Sequence, residues 1–114
     1  RLYFPMETSF ERGDQATVIE SGKARIGPLL CYEDMVPSAA ASLVERSANL
    51  LVALVHGAAF ANPLTLEQHR LLAQSRAIEN RRVLARASST GETCLIDATG
   101  RITARLPLLA EGVL

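Results

Sequence analysis

Two short apolar runs, Arg25 to Tyr32 (RIGPLLCY) and Asn49 to Val55 (NLLVALV), constrain this chain more than any other feature. Each has the length of a strand and almost no polar residue, the pattern of a strand buried on both faces. The longest unbroken stretch, Leu50 to Val55, is far shorter than the ~20 residues a membrane helix requires. Helical patterns alternate with these runs. Pro37 stands where a first-turn proline would, and Ala39–Ala41, Leu43 and Val44 supply an apolar face, so a helix is expected from Pro37 to near Ser47. A longer helix is expected over Leu64–Arg81. Pro63 precedes it, Thr65 and Gln68 have capping-box spacing, and Leu66, Leu72, Ala73, Ala77 and Ile78 approximate one stripe.

Around this centre the signals are those of hairpins. Ala16–Glu20 is a short strand joined to the first apolar run through Ser21-Gly22-Lys23. Val83–Ala87, Thr93–Ala98 and Arg101–Leu106 are further strands, separated by Gly91 and by Thr99-Gly100. Residues 1–15 show no period and read as an extended lead-in or loop, and His56–Asn62 as a loop at a strand's carboxyl end. The order ββαβαβββ indicates an α/β or α+β sandwich. Two helices leave one face of such a sheet uncovered, so a further layer is expected to cover it.

At 114 residues the chain holds one domain and not two. Its 48% hydrophobic and 21% charged residues exclude a disordered chain. Basic and acidic residues balance at 12 each, which argues against nucleic acid or an anionic membrane surface as a partner. No signal-peptide pattern is visible, and the chain opens on Arg1 rather than Met, as a fragment or processed piece would. Cys31 and Cys94 make no CxxC pair, and His56 and His69 lack ligand spacing, so no metal site is expected. Lys23 is the one lysine against eleven arginines. Chemistry that requires a lysine amine must use Lys23 or a residue outside this chain.

Cys31 is the most informative residue. It closes an apolar strand, and Tyr32, Glu33 and Asp34 follow before the helix at Pro37. Such a junction faces the crevice at the carboxyl ends of the strands, where α/β proteins bind ligands. The nearby helix N-terminus would stabilise a thiolate, and its N–H groups would suit an oxyanion. The competing reading of the position alone is an inert core cysteine.

The segment Ile26-Gly27-Pro28-Leu29-Leu30-Cys31-Tyr32-Glu33 resembles the nucleophile segment of the nitrilase (carbon–nitrogen hydrolase) superfamily. More narrowly it resembles the apolipoprotein N-acyltransferase family, which has the same CYE triplet. Gln68-His69, Ala73, Arg76-Ala77, Glu79, Arg82 and Arg86-Ala87 extend the match, as do Gly91, Thr93, Ile96-Asp97, Gly100, Leu106-Pro107 and Glu111 to Leu114. Upstream, Arg1 to Glu7 (RLYFPME) is similar to the family's RLVPFGE segment. The resemblance implies a four-layer α-β-β-α sandwich, of which residues 1–114 are the carboxyl-terminal portion of one domain. It also implies a Glu-Lys-Cys triad in which Cys31 is the nucleophile and forms a thioester acyl-enzyme, released to water or to an amine. The general-base Glu and the oxyanion-stabilising Lys are then expected upstream of Arg1.

On the same resemblance Glu7 is a supporting carboxylate near the Lys and Cys, and Glu33 orients the nucleophile turn. As plain residues, Glu7 reads as an exposed loop glutamate and Glu33 as a helix-dipole partner. Tyr32, His56 and Phe60 are the substrate-contacting candidates, with packing the main work of Tyr32. Lys23 is rejected as a substitute lysine, because eight residues of strand hold it ~26 Å from Cys31. His69 is taken as structural rather than as a papain-like partner of Cys31. Arg76 with Glu79 is a helix-face pair in a buried network, Arg70, Arg81 and Arg82 form a solvated face, and Cys94 belongs to the core.

The departures fall in one place. Where the acyltransferases carry a SNDAWFG-like segment, this chain has His56-Gly57-Ala58-Ala59-Phe60-Ala61, and Ser89 replaces a usual Asn. The fold and the nucleophile survive that change, while the lipoprotein substrate does not follow from them. Such divergence suits a specialised relative, for example one encoded with conjugal-transfer genes. The function expected is acyl transfer or amide hydrolysis without a cofactor. The partners are a phospholipid or small-molecule acyl donor, an amine or water acceptor and the rest of the domain, with room for a homo-oligomer. Nucleic acid is not expected, and the membrane enters only through helices outside this chain. Localisation would be the bacterial inner membrane with a periplasmic catalytic domain, or the cytoplasm for a soluble amidase relative. The alternative is a catalytically inactive nitrilase-fold module with an assembly or conjugal-transfer role.

Overall fold

The structure is a computed structural model that describes residues 16–56, 63–89 and 93–106. Its elements are β1 (Ile19–Ser21), β2 (Ala24–Leu30), a 3-10 turn (Cys31–Met35), α1 (Pro37–Glu45), β3 (Leu50–Val55), α2 (Pro63–Asn80), β4 (Val83–Ser88), β5 (Thr93–Ile96) and β6 (Ile102–Leu106). The strands form one sheet in chain order, β1-β2-β3-β4-β5-β6. β2, β3 and β4 are parallel, and antiparallel hairpins extend the sheet at both edges. The expected lead-in over residues 1–15, most of the 56–62 loop and Gly91 lie outside the described residues.

Strand order decides where the helices go. Crossovers between parallel strands are right-handed, so two successive steps in one direction put both helices on one face. That face is the core: Leu29, Leu51, Ala53, Leu84, Cys94 and Ile96 of the sheet pack with Ala40 and Leu43 of α1 and Ala73 and Ala77 of α2. Gly27 lets α1 come close, since a methyl there would sit 3.0 Å from Leu43 Cβ and 3.1 Å from Ala48 Cβ. On the opposite face the register aligns Ile26 with Leu50 and Val83, Pro28 with Val52 and Ala85, and Leu30 with Leu54 and Ala87. None of these residues is fully buried, and Leu30 and Leu54 are about half exposed. The strands expected to be buried on both faces are therefore buried on one among the described residues. The further layer that their sequence demands is not part of this sheet.

Both helices end without glycine. The N–H of Ser47 donates to the Val44 carbonyl and that of Ala48 to Leu43, and the same pattern joins Arg81 to Ile78 and Arg82 to Ala77. Ser47 and Arg81 accordingly take left-handed φ values of 72° and 53°, the geometry of a Schellman end. Arg25 covers the carbonyls just past the end of α1, donating to those of Ser47 and Arg46 at 2.9 and 3.1 Å, and it also pairs with Glu20. Asn49 accepts the Arg25 N–H and donates to the Lys23 carbonyl, which ties the β1–β2 hairpin to the start of β3.

Several expectations are corrected. β1 is confined to Ile19–Ser21, and β2 stops at Leu30 because the chain turns at Cys31. α2 begins at Pro63, which puts Thr65 inside its first turn instead of at the cap. Its inner face is Leu66, His69, Ala73, Arg76 and Ala77, whereas Leu72 and Ile78 are 42% and 52% exposed. Polar residues replace the expected leucine and isoleucine because they have polar partners beneath the helix. Arg70 is largely buried against Gln74 and Glu67, not solvated, and half-buried Arg82 donates to the Ala48 carbonyl at 3.0 Å.

Candidate active site

Cys31 stands at the carboxyl end of β2 with φ 56°. A non-glycine residue in the left-handed region costs ~1–2 kcal/mol, so a sharp turn here has to be held by its neighbours. One support is local. The Glu33 carboxylate accepts the Leu30 N–H at 2.7 Å, and the Val36 N–H donates to the Glu33 carbonyl at 3.0 Å. Pro37 then opens α1 directly after Val36, needing no N–H donor of its own at that position. The sequence thus brings the chain out of a buried strand, through one tight turn, and into a helix.

The parallel strands end side by side, and their ends enclose an open cleft of about 480 Å³. Leu30 and Cys31 line it from β2, Leu54, Val55 and His56 from β3, and Ala87, Ser88 and Ser89 from β4. Cys31 is partly exposed there as a free thiol, while Cys94 is buried in the core. Ser89 Oγ lies 3.3 Å from His56 Nδ1, and the Ser89 N–H donates to the Val55 carbonyl at 3.0 Å. Two positions where the sequence departs from its resemblance, His56 and Ser89, are therefore neighbours on the cleft wall.

Of the candidates named from sequence, Cys31 and His56 share the cleft, and Glu33 braces the turn that carries Cys31. Tyr32 is 47% exposed, and its ring stacks on His69 with centroids 6.3 Å apart. Glu7 and Phe60 lie outside the described residues. Lys23 is at the β1–β2 turn, at the opposite end of β2 from Cys31.

Sequence reasoning passed over Asp34, which is fully buried. Its Oδ1 is hydrogen-bonded with His69 Nε2 at 2.6 Å, and Arg86 Nε lies 3.5 Å from its Oδ2. Arg76 donates to the Met35 carbonyl at 3.0 Å and to Glu79 at 2.8 Å, so its expected pairing is present, with Glu79 near the surface. For the α2 residues of this cluster a signal was available: Leu66, Ala73 and Ala77 mark the inner face of α2, and His69 and Arg76 fall on that face at the same helical spacing.

Fold and site together define an α/β protein with a thiol at the carboxyl edge of its parallel strands. The family model for carbon-nitrogen hydrolases matches residues 2–114, and the chain belongs to that family. It is similar to the apolipoprotein N-acyltransferases of Geobacter metallireducens, 38% identical over 92% of this chain, and of Azotobacter vinelandii, 41% identical over 94%. The chain spans about a fifth of the length of these curated relatives, at 20% and 21%. Among solved structures, Nit3 of Saccharomyces cerevisiae, a member of branch 10 of the nitrilase superfamily, aligns with a TM-score of 0.75 at 23% identity. That alignment covers 89% of this chain and 40% of Nit3. A nitrilase-superfamily amidase from Nesterenkonia gives 0.73 at 22% identity, over 95% and 44%. At such identities the likeness is one of fold.

Proposed function

We propose that this chain is the carboxyl-terminal portion of a catalytic domain that moves an acyl group through a thioester on Cys31. The observation that carries this reading is the thiol itself, partly exposed in a cleft at the carboxyl edge of three parallel strands. The Cys31 thiolate attacks the ester carbonyl of a phospholipid donor, and collapse of the tetrahedral intermediate expels the lysophospholipid alkoxide, which takes up a proton. An amine or water then attacks the thioester, loses a proton to a general base and returns the thiolate. The base is a Glu and the oxyanion is held by a Lys, both outside this chain, with Glu7 supporting them. Glu33 serves the nucleophile by keeping its turn closed.

His56 and Ser89 give the cleft a polar corner, and Tyr32 and Phe60 complete the substrate contacts. The acyl chain runs over apolar side chains such as Leu54, and the donor's polar group meets His56. No described helix is long and apolar enough to cross a membrane. Membrane attachment at the bacterial inner membrane, with the catalytic domain in the periplasm, is assigned to parts of the protein beyond this chain.

Intact mass of the full-length protein after incubation with phospholipid and activated-ester donors tests the reading, beside Cys31→Ala. The expected result is a mass gain equal to the acyl group, absent in the variant and reversed by hydroxylamine. A folded protein with a titratable thiol and no adduct from any donor would replace this reading with that of an inactive assembly module.

A further inference from the structure

We propose that Asp34, His69 and Arg86 are positioning residues for Cys31, a buried clamp that fixes the backbone of the nucleophile turn. The inference rests on the acyl-transfer reading above. Asp34 lies three residues after Cys31 in the same 3-10 turn and has no exposed surface, and His69 and Arg86 are only 3% and 1% exposed. An ionised carboxylate can only accept, so His69 Nε2 carries the proton of the 2.6 Å hydrogen bond to Asp34 Oδ1. Arg86 of β4 approaches Oδ2 and balances the carboxylate charge, so the buried group carries no uncompensated anion.

Two further contacts reach the same turn from α2. Arg76, two turns beyond His69 on the inner face, donates to the Met35 carbonyl, and the His69 ring stacks on Tyr32 with an interplanar angle of 1°. Residues 32, 34 and 35 are thus each held from outside the turn, and Cys31 is the left-handed residue next to them. A core built only for stability would fill this space with apolar side chains, which cost less to bury. Polar pairs supply what apolar packing does not, a fixed direction for each bond. Here that direction fixes the turn from which the thiol projects.

The test uses the full-length protein with two independent readouts. The first needs no substrate: the rate at which iodoacetamide alkylates Cys31 at fixed pH. The second is the split between kcat and KM for thioester formation. His69→Phe keeps a ring against Tyr32 and removes the donor, whereas His69→Gln restores an N–H near the position of Nε2. His69→Phe is expected to slow alkylation and to lower kcat by ~10- to 100-fold with KM nearly unchanged, and His69→Gln to recover most of the loss. Equal rates in folded His69→Phe and wild type overturn the clamp, as does a Gln variant as impaired as Phe. If His69→Phe does not fold, the imidazole N–H resonance of His69 in the wild type decides. It should shift when Cys31 is alkylated, and an unmoved resonance overturns the proposal. Absence of any acyl adduct on wild-type Cys31 would remove the acyl-transfer reading alone, because the alkylation rates still report on the clamp.

Discussion

A single carboxylate shows how much one residue can hold in this chain. Asp97 closes the β5–β6 turn by accepting from the Thr99 hydroxyl at 2.6 Å, the Thr99 N–H at 2.9 Å and the Arg101 N–H at 3.0 Å. The Thr99 hydroxyl, followed by the Arg101 N–H, holds its carboxyl below the ordinary value of 3.8. A carboxyl with a lowered folded value binds its proton more readily in the unfolded chain. Its contribution is therefore complete above pH 3.8 and disappears as pH falls through the lowered folded value. Asp97→Asn should lower Tm near neutral pH, and the gap to wild type should narrow as the pH drops below 3.8. Thermal melts across the acid range check this, and a gap of constant size would contradict it. At this scale the sequence was partly legible. Cys31 stood out as a candidate because a thiol ending an apolar strand is unusual and resembled a known segment, and the fold puts it on the cleft wall. Asp34 was not, because an acidic residue just before a helix reads as an exposed dipole partner, and only the tertiary fold buries it under His69.

Among the elements, β2 and α1 meet closely at Gly27. A side chain there meets Leu43 Cβ at 3.0 Å, Ala48 Cβ at 3.1 Å and Leu51 Cδ2 at 3.1 Å, two of them Cβ atoms that can move only with their backbones. Gly27→Val is expected to cost ~1–3 kcal/mol by overpacking. It should also weaken thioester formation, since α1 begins just beyond the turn that carries Cys31. Denaturant unfolding together with the acylation rate checks both effects, and unchanged stability would mean that α1 packs less tightly than described. The helices and the central strands were legible from period and composition. Their ends were less so: Ser47 and Arg81 stop α1 and α2 without a glycine signal. The inner face of α2 was misjudged because apolar count favoured Leu72 and Ile78 over His69 and Arg76. Helix periodicity identifies a face, but what lies beneath decides whether that face is apolar.

At the scale of the whole molecule, the sheet keeps one face apolar and incompletely covered among the described residues. Ile26, Leu50, Val52, Leu54 and Val83 stand there in register, and Leu54 and Val83 are 48% and 42% exposed. A contiguous exposed patch of this kind binds apolar dyes and other copies of itself. Residues 1–114 expressed alone should therefore bind ANS and sediment as oligomers, and Leu54→Lys should reduce both. A monomeric piece silent to the dye would show that the face is covered from within the chain. The need for a covering layer was readable in the sequence, because strands such as NLLVALV are more apolar than a one-sided sheet requires. Strand order has a separate consequence, for the folding route. Every strand of the described sheet pairs with its neighbours in the chain, and the widest parallel pairing, Leu50 with Val83, closes a loop of only 33 residues. Loop-closure entropy rises slowly with such lengths, so the wider pairing costs little more to close than the narrower one between β2 and β3. The sheet can therefore grow one edge at a time, each new strand docking on the one laid down before it.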